Sequence, residues 1–282
     1  MYECRFVTTD GDTFYFGYDY GTIFDVTPLS ELDVEVSTSQ GFQQVGTIVE
    51  SETVGGVSRE IKGVFLNWQN TSLIQSMLQI FTPGTHGKLY FNDEAYCDAV
   101  VQKTPALTLK NRKRTFDLLL YCAYPYWVDT ESITSDIGGY TAAFEFPVCY
   151  DEHTFGIKNE DQYAVITNTG MVEVPCSVTF TASADVVNYG IENVYTGDFL
   201  KIDDTLESGQ KVNVYWDEGR LKIEKTADGV TTNIFSLLDE DSTLFYLDVG
   251  DNVIKQFADD GNANLIVHIT INPAHVGVIA DG

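Results

Sequence analysis

Positive charge is what this sequence lacks most. It has 16 Lys and Arg against 42 Asp and Glu, a formal net charge of −26. Non-specific grip on nucleic acid rests on basic side chains that neutralise phosphates, so this balance argues against specific nucleic-acid binding and against an anionic membrane surface. No RNA-binding signature is present. An acidic protein can still surround DNA, because a passage lined with carboxylates lets the duplex slide. Apolar runs long enough to span a bilayer are missing too, and no membrane contact is expected. The beginning, MYECRFVTTDGD, has the pattern of neither a secretory leader nor a transit peptide, so no cleaved leader is expected.

Cysteine is sparse and scattered. Cys4, Cys97, Cys122, Cys149 and Cys176 are five in number and form no CxxC pair, which argues against a zinc knuckle. Buried, reduced thiols made in a reducing cytoplasm are expected. The four histidines, His86, His153, His268 and His275, stand at no metal-ligand spacing. His268 alternates with Val267 and Ile269 and points away from their face. The GxSxG, HExxH, P-loop and dinucleotide fingerprints are absent. Paired carboxylates can hydrolyse glycosides, but the pairs in IDDT, DEDS and ADDG sit beside turn-forming residues, and none matches an EF-hand loop. No enzyme activity, cofactor or metal is therefore predicted.

What is present points to sheet. Phe and Tyr number 17 and 16, Met only 3, and Val and Thr recur throughout. The length of 282 residues suits two domains, each with its own core. YECRFVT and TFYFG flank the tight-turn signal TDGD and read as a hairpin. TIFDVT and LDVEVS read as short strands. The polar, Gly-rich stretch near 38–57, with Gly41, Gly55 and Gly56, reads as an exposed arm, and Arg59 to Trp68 as a firmer strand. One helix is predicted over Asn70 to Phe81, with Ile74, Met77, Leu78 and Phe81 packed on a sheet. Lys110, Arg112, Lys113 and Arg114 form the one basic cluster, between two strands. It reads as a solvated turn or as a contact with an acidic neighbour.

The densest aromatic cluster, YCAYPYW, closes the first, β-barrel-like domain at about residue 129. Residues 130–142 read as a linker and 143–282 as a second domain. There the alternation of Val172, Val174, Cys176, Val178 and Phe180 with polar residues marks a half-buried strand. Pro175 places it at an edge or a bulge. Many short strands with Gly-bearing turns follow, which means a sandwich or barrel.

The order of these features resembles the distal tail (Dit) proteins of tailed bacteriophages. A strand ends in Pro125, Tyr126 and Trp127. A FEFP connector follows, and then Asn168, Gly170 and Pro175 within ITNTGMVEVPCSVTF. The resemblance implies a mainly β fold with a ring-forming first domain and a galectin-like β-sandwich. It implies a structural virion protein, late in expression: six copies in a ring around a passage for DNA, joining the tail tube to the tail-tip hub and to receptor-binding proteins for host attachment. The particle would be assembled in the bacterial host cytoplasm. On this reading the contacts between copies use the arm near Gly41, Gly55 and Gly56 and the basic cluster Lys110 to Arg114. A rival reading is a carbohydrate-binding module of a tail tip or adhesin, with Tyr189, Tyr195, Tyr215 or Trp216 as a stacking platform. A glycoside or peptidoglycan hydrolase has no residue in its favour.

Overall fold

The computed structural model describes residues 2–138, 140–142, 156–158, 162–217, 219–243 and 245–279. The FEFP connector, Cys149 and His153 lie outside the described residues. The chain divides into two compact units: Met1–Glu131 with Ala274–Gly282, and Ser132–Pro273.

In the first unit β1 (Cys4–Thr8) turns through the Asp-Gly signal into β2 (Thr13–Phe16), with Gly11 at φ +94°. β3 (Thr22–Thr27) follows. Among the described residues β4 (Val34–Ser39) and β5 (Ile48–Val54) pair only with each other. Then come β6 (Val57–Phe65), helix α1 (Thr71–Ile80), β7 (His86–Phe91), β8 (Ala95–Lys110), β9 (Lys113–Cys122) and β10 (Trp127–Asp129). The main sheet has the antiparallel order β2-β1-β7-β8-β9-β6-β3.

This sheet is barrel-like without being closed. Its end strands β2 and β3 share no ladder, yet Phe16 on β2 and Phe24 on β3 bring their ring centroids to 5.5 Å. Alternation explains the wrapping: Cys4, Phe6, Phe14 and Phe16 all point to one face and are buried. Phe81 fills that face, with ring centroids 5.0 Å from Phe6, 5.6 Å from Phe14 and 5.7 Å from Phe16. Burying one such ring stabilises by about 2–3 kcal/mol. The Asn70 side-chain oxygen caps the helix, accepting from the Leu73 N–H at 3.2 Å. Ile74 and Met77 join Phe81 in the core, but Leu78 does not: at the edge of the apolar stripe, it keeps 36% of its surface exposed.

The second unit contains β11 (Ile133–Ile137), β12 (Tyr140–Ala142), β13 (Gly156–Lys158), β14 (Tyr163–Asn168), β15 (Val174–Pro175), β16 (Ser177–Ala182) and β17 (Val186–Asn193). It continues with β18 (Phe199–Leu206), β19 (Lys211–Asp217), β20 (Arg220–Ala227), β21 (Val230–Asn233), β22 (Tyr246–Leu247), β23 (Gly250–Asp260) and β24 (Leu265–Ile271). Two main antiparallel sheets result, a six-stranded β11-β24-β16-β19-β20-β21 and a four-stranded β14-β23-β17-β18, beside the two-stranded pairs β12-β13 and β15-β22. The inner faces of the two main sheets meet as a sandwich. Phe180 of the first sheet and Tyr189 of the second are fully buried, with ring centroids 5.2 Å apart. Val178, Val267 and Ile269 line one side of that core, and Ile191, Ile202 and Ile254 line the other.

MVEVPCSVTFT keeps its inward set of Val174, Cys176, Val178 and Phe180, but it breaks at Cys176. Pro175 has no N–H for a ladder, so Val174–Pro175 forms only a two-residue pairing with β22 before β16 joins the large sheet. The expected boundaries at 130–142 and 282 differ from the observed division at two points. Ile133–Ile137, inside the expected linker, pairs with β24 because its alternation completes an edge strand. The chain then returns to the first unit, where β25 (Ala274–His275) pairs with β10. Two residues after a proline are too few to announce a strand.

Candidate assembly site

The arm is longer than the sequence suggested. LDVEVS, read as an ordinary strand, is the first half of the β4–β5 hairpin. Every residue of β5 is exposed, and all of β4 but its last. Val34, Val36, Ile48 and Val49 are about half exposed, Phe42 94% and Val45 100%. A two-stranded hairpin alone is marginal in water, and this one has apolar side chains with no core to join. Gly41 starts its tip turn, donating its N–H to the Gln44 side-chain oxygen at 3.1 Å. Gly55 and Gly56 link the hairpin to β6. Gly55 has open space around it, whereas the place a Cβ would take at Gly56 is held by the Tyr121 hydroxyl and the Cys122 carbonyl.

The basic cluster forms the β8–β9 turn. Lys110 pairs with Lys113 across a two-residue loop of Asn111 and Arg112, at φ +51° and +58°. Such turns favour Asn at the first place and Gly at the second. Arg112 holds a left-handed backbone that glycine would adopt without strain. Lys110, Arg112 and Lys113 are exposed, and Arg114 is half-buried.

The Pro-Tyr-Trp motif is built around a residue that sequence reasoning missed. Trp127 is fully buried, and its indole N–H donates to the Leu29 carbonyl at 2.9 Å. The guanidinium of Arg59, also fully buried, lies 4.4 Å from the Trp127 ring centroid. One Arg59 nitrogen donates to the Pro125 carbonyl at 2.7 Å and another to the Pro28 carbonyl. Tyr126 packs edge-on against Tyr124 at 5.1 Å. Arg59 stands in β6, far from the motif in sequence. Its one signal was a charged residue at an inward position of an otherwise alternating strand.

Asn168 is buried and ties a turn together. Its amide donates to the Val172 and Leu247 carbonyls at 2.9 and 3.1 Å, and its oxygen accepts the Gly170 N–H at 2.9 Å. The structure thus separates the expected residues into three groups: arm, basic turn and two internal turn motifs.

The rival sugar reading loses Tyr189 as a stacking face. Tyr189 is interior, because its position in β17 faces the opposite sheet. Burial raises its phenol pKa, and its hydroxyl lies 3.4 Å from Asp204. Trp216 is half-buried against Tyr246, with ring centroids 5.5 Å apart. Tyr215 sits on β19, in the other sheet from Tyr189, and Tyr195 follows β17. His268 faces outward and meets Asp136 at 2.5 Å. Four cysteines, Cys4, Cys97, Cys122 and Cys176, are buried free thiols, and burial pushes the Cys176 thiol up to about 12. Among the described residues no group of three or more His, Cys, Asp or Glu is arranged to hold a metal ion.

Comparison with known proteins gives the same direction. Residues 169–273 match the family model of the siphovirus-type tail component, C-terminal domain. No curated protein sequence matches. Among solved structures the chain is similar to the Dit protein (gp 19.1) of phage SPP1, described as a paradigm of hub adsorption apparatus in Gram-positive-infecting phages. Identity is 14% and the TM-score 0.65, over 95% of this chain and 98% of that one. It is also similar to a chain of the phage P2 baseplate in its activated conformation with Ca, at 12% identity and TM-score 0.54, over 96% and 98%. The corresponding Sr structure gives a TM-score of 0.53. The resemblance to distal tail proteins first carried by short motifs therefore holds at two levels, a siphovirus-type tail component model over residues 169–273 and the Dit fold over nearly the whole chain.

Proposed function

We propose that this chain is a structural component of a phage distal tail, without catalytic activity. Copies of it form a closed ring, six in number, that joins the tail tube to the tail-tip hub and leaves a central passage for DNA. The finished particle carries it at the tail tip, after assembly in the host cytoplasm. The observation that carries this reading is the correspondence of fold with SPP1 Dit over 95% of the chain together with the tail-component model in residues 169–273. The β4–β5 hairpin supports it from within the molecule. Exposed on both faces and tipped by Phe42 and Val45, it has the character of a segment ordered by a neighbour's surface.

The acidic composition is compatible with assembly. Exposed charges more than about 8 Å apart are largely screened at physiological salt. Contacts between copies then have to avoid carboxylates or pair them with the few free cations. The test is the mass of the purified protein by light scattering, with negatively stained images of the same sample. Discrete rings are expected. Single copies at every concentration, with tube and hub proteins also supplied, refute the proposal. Replacing residues 35–53 by Asn-Gly, which keeps the Val34–Val54 pairing as a short hairpin, tests the arm. Loss of the ring is expected, and an intact ring removes the arm from the contact.

A further inference from the structure

The first unit carries an exposed hollow whose chemistry none of the motifs above uses. One part, about 350 Å³, is lined by Tyr2, Glu3, Tyr18 and Asp19. A second part, about 220 Å³, shares Glu3 and adds Arg5, Tyr15, Tyr20 and Asp93. Tyr15 and Tyr20 stack with ring centroids 4.8 Å apart, and both stay more than two-fifths exposed, at 43% and 41%. The one cation there is already engaged: Arg5 meets Asp93 at 2.5 Å and lies 3.9 Å from the Tyr90 ring centroid. Three carboxylates, those of Glu3, Asp19 and Asp93, leave the hollow negative. Their field is visible on Tyr20, whose phenol pKa is raised, by Glu3 first. Open tyrosine faces among carboxylates are what a guanidinium or ammonium group seeks. The ring quadrupole attracts the cation, and the carboxylates accept its N–H groups.

The chain itself carries a matching cation. Lys62, Lys88, Lys201, Lys222 and Lys225 all pair with acidic side chains of the same copy. Lys110, Arg112 and Lys113 have no ion pair among the described residues, and they project together from one tight turn. At Arg112 the chain accepts a backbone that favours glycine and keeps the guanidinium. In a molecule of net charge −26 this is the exposed cationic projection that a negative hollow fits best.

We propose that the β8–β9 turn of one copy seats Arg112 and Lys113 in the tyrosine–carboxylate hollow of the next copy. The inference rests on the ring-forming reading and names the polar contact within it. The two surfaces are different patches, so the contact is head-to-tail. A contact of that kind repeats around an axis and closes into a ring when the rotation allows.

Two double variants test it in the full-length protein: Glu3→Lys with Asp19→Lys, and Arg112→Glu with Lys113→Glu. All four positions are exposed, and circular dichroism is the check that each variant folds. By analytical ultracentrifugation each is expected to sediment as single copies where the unaltered protein forms its discrete oligomer. The neutral versions Glu3→Gln with Asp19→Asn and Arg112→Gln with Lys113→Gln, mixed in equal amounts, retain one good hollow and one good turn between them, with no reversed charges left to pair. The mixture is then expected to give two-copy species and nothing larger. Should a charge reversal disturb folding, the same neutral versions replace it, with at least tenfold weaker assembly expected. Rings that persist in both variants overturn the contact and leave the ring reading standing, as does a mixture that stays as single copies. Single copies for the unaltered protein, with tail neighbours supplied, overturn both.

Discussion

Arg59 is the most informative residue to remove. It is fully buried, donates to the carbonyls of Pro28 and Pro125, and lies 4.4 Å over Trp127. Arg59→Ala leaves both carbonyls without a donor, at about 1–2 kcal/mol each. It also deletes the cation–ring contact, worth about 1 kcal/mol or more, and leaves a void. The expected cost is about 4 kcal/mol, a large share of the roughly 5–15 kcal/mol that holds a typical domain. Arg59→Met refills the volume but still orphans the carbonyls, so about 2–3 kcal/mol is expected. Arg59→Lys keeps the charge, yet a single ammonium cannot reproduce the flat fork that serves two carbonyls and stacks on indole. About 2 kcal/mol is expected there. Two units need not melt together, so native-state hydrogen exchange read by mass spectrometry is the suitable assay. Peptides from β6, β9 and β10 should exchange about a thousandfold faster in Arg59→Ala, while those from β16 and β24 keep their protection. A change below tenfold in all three variants would refute the idea that Arg59 anchors the Pro-Tyr-Trp corner.

Other outcomes follow from the same geometry. Gly56→Ala should cost about 2 kcal/mol in urea unfolding, because its methyl meets Tyr121 and Cys122, while Gly55→Ala next door should change nothing measurable. Arg112→Gly should raise stability by about 1 kcal/mol by relieving the left-handed backbone, and yet weaken self-association in sedimentation. Burial and then the nearby Glu60 raise the Asp117 carboxyl above its usual range. The protonated form is therefore favoured on folding, and its contribution is lost as pH rises through the folded value. Asp117→Asn should accordingly melt higher than the parent at pH 7 and the same at pH 3; an equal shift at both pH values would contradict this.

Local patterns carried much of the fold into view. Asp-Gly at residues 10–11 announced the first hairpin, and the stripe of Ile74, Met77 and Phe81 announced the helix, which differs from the expected span by one residue at each end. Strict alternation around Val178 and Phe180 announced the inner face of the sandwich. What stayed hidden depends on partners distant in the chain. Arg59 and Trp127 meet only once β6 and β10 share a core. The tyrosine hollow gathers Tyr2, Tyr15, Tyr18, Tyr20 and Asp93 from separate strands and turns. The alternation in LDVEVS predicted a strand correctly but said nothing of exposure, because a hairpin built for a neighbour carries the same pattern as one built for its own core.

The pairing of β10 with β25 has a consequence for how such a chain can be rearranged. Trp127 faces His275 and Val128 faces Ala274 in one short ladder, and the whole of Ser132–Pro273 intervenes. Topologically the sandwich is the loop of a hairpin. Its own ends are neighbours as well, since Ile133 pairs with Ile271 and the Asn272 amide donates to the Ser132 hydroxyl at 3.1 Å. A folded insert with adjoining ends spares the host hairpin the closure entropy that a slack loop of equal length would impose. Such an insert can be excised, exchanged or re-ended as a cassette, with a tight turn in its place and the remaining strands still in register.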